Sequence, residues 1–324
     1  MLNYNSAPAL RNFLEQEGLG MQKKFGQNFL INPQIRKSLV DALGANAGDK
    51  IWEIGPGLGS MTALLLEKQY SVKAFEIDPG FIRILKSMFS HNENFSLIEG
   101  DVMKTWKKCF YADGNTAVPY LLGNLPYNVA AALLASFIEN GCVFSRVVVT
   151  VQKEVAMRMA ASAGTPDYSS FSVLCASAYK VKPLMLISRE SFYPQPNVDS
   201  MGVLLEKNNA FRCPAVFYPL VRSLFASRRK TIKNNMSSFI SSRLGEFIQG
   251  NSQKSEPHPG SSDLKQQADM DITLNKRNLV QELCAAVLNE NNIKENERAE
   301  KLEFTAFLSL ANSIENMRIL KQEC

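Results

Sequence analysis

The segment Asn124-Leu125-Pro126-Tyr127 joins two hydrogen-bond acceptors to an aromatic ring, a combination suited to an exocyclic aromatic amine. The lone pair of such a nitrogen is delocalised into its ring, which makes it a poor nucleophile. The Asn124 side-chain oxygen and a backbone carbonyl held by Pro126 can accept hydrogen bonds from its two N–H groups. They would draw the nitrogen toward tetrahedral geometry and aim its lone pair at an electrophilic methyl group. Tyr127 is placed to stack on a base taken out of its helix, as base-modifying enzymes require. No general base is needed at the outset, and the chain has only two histidines, His91 and His258. The alternative is an Asn-x-Pro turn followed by a core tyrosine.

Upstream, Ile51–Thr62 (IWEIGPGLGSMT) places Gly55, Gly57 and Gly59 between a strand and a helix. Glycines there let a ligand lie close to the backbone and leave helix N–H groups available. A dinucleotide site wants G-x-G-x-x-G with a pyrophosphate at the helix start. Here the spacing is G-x-G-x-G, and the nearby Glu53 carboxylate repels phosphate while attracting the sulfonium and ammonium groups of S-adenosylmethionine. Glu76, about 20 residues past the glycines, is placed to accept ribose hydroxyls. Asp101, in EGD, is either an adenine-reading carboxylate or an ordinary turn residue after a strand.

Gly55, Glu76, Asp101 and Asn124 must be brought together by the ends of successive strands. Strand patterns run over 50–54, 72–78, 95–101, 120–124, 146–152, 182–188 and 198–206, with amphipathic helices over 59–69, 81–89, 129–140 and 154–162. That alternation predicts an α/β, Rossmann-like domain with a mixed, mostly parallel sheet, whose ligand crevice lies outside the carboxyl ends of the strands. The last two strands have no long helix between them and are expected to form an antiparallel edge. Past Lys207 only helical spacing continues, over 216–225, 231–247, 277–288 and 304–314. The expected organisation is a methyltransferase domain over 1–207 and a small helical domain over 208–324. Residues 250–269 carry almost no large apolar side chains and are expected to form a flexible insertion.

The 324 residues are 45% hydrophobic and 21% charged, an ordinary globular composition. No apolar run approaches the ~20 residues that span a bilayer. The six cysteines form no CxxC pair, so no metal site is expected. Scattered thiols and the lack of a signal-peptide pattern point to the cytoplasm. Charge is uneven: from Glu206 to Glu246 eight basic residues face two acidic ones, an excess larger than the +5 of the whole chain. Arg228, Arg229, Lys230 and Lys233 are candidates for phosphate contacts, or else a solvated basic face. Phe192, beside Pro194 and Pro196, either covers the second face of a target base or sits in the core.

The blocks KFGQNFLIN, EIGPGLGSMT, FEIDPG, EGDV, GNLPYNV, VQKEVAMRM, FYPQPNVDS and SRRKTIKNNM occur in an order that closely resembles a known family. It is the small-subunit ribosomal RNA adenine N6-dimethyltransferases, kasugamycin-sensitivity type. The resemblance runs from Lys24 to about Leu244 and resumes near 301–314. It implies that Asn28 and Leu30 close over S-adenosylmethionine together with Gly55, Glu76, Asp101 and Asn124. It also implies a product of two adjacent dimethyladenosines near the 3′ end of small-subunit (16S) RNA. A monomer acting on a 30S precursor, with no membrane partner, is expected. The chain departs from the family at Ser169-Ser170, where Gly-Arg is usual, and at Val129-Ala130, where Ile-Ser is commoner. A large-subunit RNA methyltransferase of the macrolide-resistance type is the enzymatic alternative. A ribosome-assembly or transcription factor that keeps the fold without needing methyl transfer is the non-enzymatic one.

Overall fold

In a computed structural model describing residues 2–19, 27–112, 120–126, 129–208, 213–252 and 262–317, the chain divides into two compact units. The first comprises Met1–Ala160 with Ala178–Asn209, the second Ala161–Ser177 with Ala210–Cys324. A single boundary at 207 therefore misplaces 161–177. Tyr168 and Val173 belong to the core of the helical unit, where the Tyr168 hydroxyl donates to the Leu302 carbonyl at 3.0 Å.

The first unit starts with α1 (Ala7–Gln16), capped by the Ser6 hydroxyl with a proline in its first turn. After it come β1 (Phe29–Leu30) and α2 (Pro33–Asp41), the latter capped by Asn32. Strand and helix then alternate: β2 (Lys50–Ile54), α3 (Ser60–Glu67), β3 (Ser71–Glu76), α4 (Pro79–Phe89), β4 (Phe95–Glu99) and α5 (Val102–Ala112). The alternation continues with β5 (Tyr120–Asn124), α6 (Ala130–Glu139), β6 (Arg146–Gln152) and α7 (Lys153–Ala160). The chain passes through α8 (Ser170–Ala178) into β7 (Tyr179–Ile187), β8 (Phe192–Tyr193) and β9 (Ser200–Lys207).

Seven strands make one sheet in the order β4-β3-β2-β5-β6-β9-β7. The first five are parallel, and β9 runs antiparallel to both β6 and β7, the expected antiparallel edge. Strand periodicity sorts the core into two faces. Ile51, Val72 and Leu122 meet Leu39, Met61 and Leu65 on one side. On the other, Trp52 packs against Phe75, Phe137 and Phe144, and Trp106 packs against Phe137 with ring centroids 4.9 Å apart. A parallel sheet covered on both faces puts its carboxyl edge at the surface, where loops can shape a crevice.

The helical unit contains α9 (Phe217–Phe225), α10 (Ile232–Ser252), α11 (Ser262–Glu290) and α12 (Phe304–Asn316). Phe217, Leu220, Ile240, Val287, Phe307 and Leu310 form its core. The expected flexible insertion is helical at both ends, over 250–252 and 262–269, and its centre, 253–261, lies outside the described residues. Among the described residues no helix is long and apolar enough to cross a membrane.

Candidate cofactor and base site

One cavity sits at the carboxyl edge of the first unit and draws on the ends of β2, β3, β4 and β5. Its lining includes Asn28, Leu30, Gly55, Glu76, Asp101 and Asn124, together with Leu125 and Pro126. Apolar walls come from residues that sequence reasoning missed, among them Phe29, Phe75, Ile77, Phe81 and Leu133. These carry only the ordinary spacing of core side chains, so nothing in the sequence singles them out. Tyr127 lies outside the described residues.

Glu76 is 5% exposed and accepts three backbone N–H bonds. Oε2 takes the Gly57 amide at 3.0 Å, and Oε1 takes those of Ile77 and Asp78 at 2.9 Å each. Burial pushes this carboxyl upward, against the three amide bonds that favour its charge. Asp101 caps α5, its Oδ1 accepting from the Met103 amide at 2.9 Å, with the side chain still on the cavity lining. Asp78, buried at 3%, caps α4 through Gly80 and also accepts from the Gln27 side chain at 2.9 Å, which holds the segment leading to Asn28.

The glycine turn is closed on itself. The amides of Gly55, Gly57 and Gly59 donate to Phe75 O, Glu76 Oε2 and Pro56 O, so none of the three is offered to a ligand. Gly57 has φ +58°, and a Cβ there would lie 3.0 Å from the Phe29 ring. At Gly59, φ +84°, a Cβ would lie 2.6 Å from Phe89. Both positions require glycine.

Glu53 is placed differently from the sequence expectation. It is fully buried, does not line the cavity, and accepts from the Thr62 hydroxyl at 2.6 Å, while its Oε1 has no partner. Burial pushes its pKa to about 7. Strand alternation puts it on the face of Ile51. It therefore fastens α3 to β2, and the carboxylates on the cavity lining are Glu76 and Asp101. Among the described residues no Lys, Arg or His lines the cavity. A donor set of carboxylates and amide oxygens with spent loop amides suits a cationic, phosphate-free ligand, and S-adenosylmethionine fits it.

At the end of β5 the Asn124 side chain donates through Nδ2 to the Asn28 carbonyl at 2.8 Å, which leaves Oδ1 as an acceptor on the cavity side. The Pro126 carbonyl accepts from the Val129 and Ala130 amides and starts α6. Leu125 lines the cavity, and the Pro126 ring holds rigid the peptide that carries its carbonyl.

Phe192 takes the core position and not the base-covering one. It is 2% exposed, pairs with Leu30 across β1 and β8, and packs in the core with Leu30, Leu39 and Ile187. The two-residue ladder turns its ring inward, so it backs the Leu30 wall and does not face a base. In the helical unit the basic cluster is divided. Arg228 meets Glu300 at 3.3 Å and the Pro166 carbonyl at 3.1 Å, and Lys233 meets Glu295 at 2.7 Å. Arg229 and Lys230 are exposed, with no ion pair among the described residues. At the start of α8 the Ser172 hydroxyl accepts the Ser169 amide at 3.0 Å.

Residues 18–254 match the model of the family described as ribosomal RNA adenine dimethylase. A protein of Treponema denticola named ribosomal RNA small subunit methyltransferase A is 47% identical over 245 residues, 74% of this chain and 83% of that one. The protein of that name from Borreliella burgdorferi is 39% identical over 243 residues, 75% of this chain and 84% of its own. Among solved structures, a dimethyladenosine transferase from Plasmodium falciparum superposes with a TM-score of 0.66 at 24% identity, covering 86% of this chain and 94% of that one. The 23S ribosomal RNA methyltransferase ErmE gives 0.56 at 14% identity, over 89% and 99%. At those identities the two structures speak for the fold alone.

Proposed function

The chain belongs to the ribosomal RNA adenine dimethylase family, and from that premise we propose that it dimethylates the N6 amino groups of two adjacent adenosines near the 3′ end of small-subunit ribosomal RNA. Relatives named for the small subunit, at up to 47% identity, favour that RNA over the large-subunit alternative. S-adenosylmethionine supplies an electrophilic methyl group when bound. Asn28, Leu30, Gly55, Glu76 and Asp101 are the residues that would hold it. Glu76 already accepts three of the roughly four hydrogen bonds a carboxylate can take, which leaves about one for a ribose hydroxyl. Asp101 keeps Oδ2 for an adenine amino group.

Asn124 does the work at the acceptor nitrogen. Its Nδ2 is anchored on Asn28, so Oδ1 stays turned to the amine, and with the Leu125 carbonyl it withdraws both amine hydrogens from the ring plane. The acceptors are fixed before substrate arrives, as electrostatic preorganisation requires. Methyl transfer from the sulfonium leaves N6 as a strongly acidic cation, which gives up one proton to water and returns to neutral, so no histidine is involved. Tyr127 stacks on the flipped base. Arg229 and Lys230 dock the RNA through phosphates. The substrate is a 30S precursor particle, met by a monomer in the cytoplasm.

The observation that carries this reading is the Asn124–Asn28 bond beside a cavity with two carboxylates and no cation among the described residues. Incubation with labelled S-adenosylmethionine and unmethylated 30S particles, followed by mapping of modified bases, tests it. Label on two neighbouring adenosines near the 3′ end is expected. Label confined to other bases, or none, contradicts it.

A further inference from the structure

Residues 2–19 contribute nothing to the cavity lining, yet they are fastened to two of its walls. The Tyr4 hydroxyl donates to the Leu58 carbonyl at 3.0 Å, inside the glycine turn. From the opposite wall, Arg36 of α2 donates through Nη1 to the Leu30 carbonyl at 2.6 Å and the Tyr4 carbonyl at 3.3 Å. Its Nη2 donates to Asn5 Oδ1. Leu30 and Gly57 both line the cavity. One residue, Tyr4, thus joins the two walls, through its backbone on one side and its hydroxyl on the other.

Arg36 is an expensive way to fill this space. It is 5% exposed, its Nε has no partner, and no carboxylate is bonded to it among the described residues. A buried cation without a counter-ion costs several kcal/mol, and an aliphatic side chain would pack there more cheaply. Only a guanidinium fork reaches three acceptors on two separate segments at once. Burial also pushes the Tyr4 phenol up to about 12, so it remains a donor at any working pH. Behind Tyr4, Leu10 and Leu14 of α1 pack with Leu58, Phe81 and Ile84, and the Arg11 Nε donates to the Tyr193 hydroxyl at 3.3 Å. The N-terminal segment is therefore a strap seated on the glycine turn, α4 and the β1–β8 pair.

We propose that Arg36 and Tyr4 are positioning residues that set the spacing between Leu30 and the glycine turn, so that the N-terminal strap governs affinity for S-adenosylmethionine. This rests on the cofactor reading above. Coupling is reciprocal: if the strap tightens the cavity, an occupied cavity must hold the strap.

Tyr4→Phe keeps the ring and removes only the donor. Calorimetry with S-adenosylhomocysteine should show Kd raised about 3–10-fold, while kcat at saturating S-adenosylmethionine stays within about twofold. Arg36→Met should weaken binding more, and Arg36→Lys, which still reaches the Leu30 carbonyl, should recover part of the loss. Trypsin cleavage at exposed Arg11 should slow when S-adenosylhomocysteine is added to wild type, and slow less in Tyr4→Phe. Wild-type Kd in folded Tyr4→Phe and Arg36→Lys, or cleavage indifferent to the ligand, overturns the proposal. Tyr4→Phe decides the matter if Arg36→Met does not fold. Failure of the wild type itself to bind S-adenosylhomocysteine would overturn the cofactor reading instead.

Discussion

Replacing Arg229 and Lys230 with glutamine and replacing Arg228 and Lys233 with glutamine should have opposite consequences, although all four lie within six residues. Arg228 and Lys233 are committed to Glu300 and Glu295, which pins the loop between α9 and α10 to the 295–300 segment. The Asn235 amide holds the same loop from beneath, donating to the Leu224 and Ser227 carbonyls at 2.8 and 3.1 Å. Arg229 and Lys230 are left to project. Removing one phosphate-binding cation lowers the salt slope by about 0.7–0.9, so the Arg229/Lys230 pair should lower it by about 1.4–1.8. Between 50 and 200 mM salt that changes the ratio of wild-type to variant affinity by about tenfold. Arg228 is half exposed and Lys233 a third exposed, so each ion pair contributes at most about 0.2–1 kcal/mol. The Arg228/Lys233 variant should therefore melt slightly lower, with a nearly wild-type slope. Particle affinity at several salt concentrations, with thermal melts of both variants, provides the comparison. An equal fall in slope for the two variants would refute the division, because the ion pairs would then open to phosphate.

Glu53 is protonated more readily in the folded chain than in the unfolded one, because burial raises its pKa from an ordinary 4.5 to about 7. Its contribution to stability is present below the unfolded value and is lost as pH rises through about 7. Glu53→Gln should therefore gain on the order of 2–3 kcal/mol relative to wild type between pH 5 and pH 8, read by urea unfolding at each pH; a pH-independent difference would refute it. Glu76→Gln puts an amide NH2 against backbone donors, and should cost about 1–3 kcal/mol of stability and weaken S-adenosylhomocysteine binding, measured by melting and calorimetry. Gly57→Ala should cost about 1–2 kcal/mol from its left-handed backbone alone and press on the Phe29 ring, with weaker ligand binding as the readout.

The bounds of β2, β5 and β6 were legible because short apolar runs, buried on both faces of the sheet, end at polar or glycine residues. The Gly55, Glu76, Asp101 and Asn124 positions followed from strand ends, and all four reach the cavity. Other elements gave weaker signals. In α5 only Trp106 and Phe110 are buried, too sparse a stripe to read as a helix, and α8 (SFSVLCASA) is small and apolar all round. The cap Ser6 with Pro8, and Asn32 before Pro33, were usable start signals for α1 and α2. Glu53 shows a motif overriding a pattern: its place two residues after Ile51 in β2 already assigns it to the Ile51 face, which α3 covers. Phe192 turns inward because β8 pairs with β1, more than 160 residues earlier, a contact that no local pattern contains. The ion pairs of Arg228 and Lys233 likewise span 72 and 62 residues.

The central claim is that Asn124 activates the target amine while the neighbouring residues hold the methyl donor. Single-turnover methyl transfer by Asn124→Ala on unmethylated 30S particles, with S-adenosylhomocysteine affinity measured on the same preparation, tests it directly. Loss of a preorganised acceptor should lower the transfer rate by at least about 10²–10³-fold. Ligand affinity should stay within about tenfold, or 1.4 kcal/mol, since Asn124 meets the donor only at one edge. A variant that transfers methyl groups at near wild-type rate, or one whose transfer falls only in proportion to weakened ligand binding, would contradict the account.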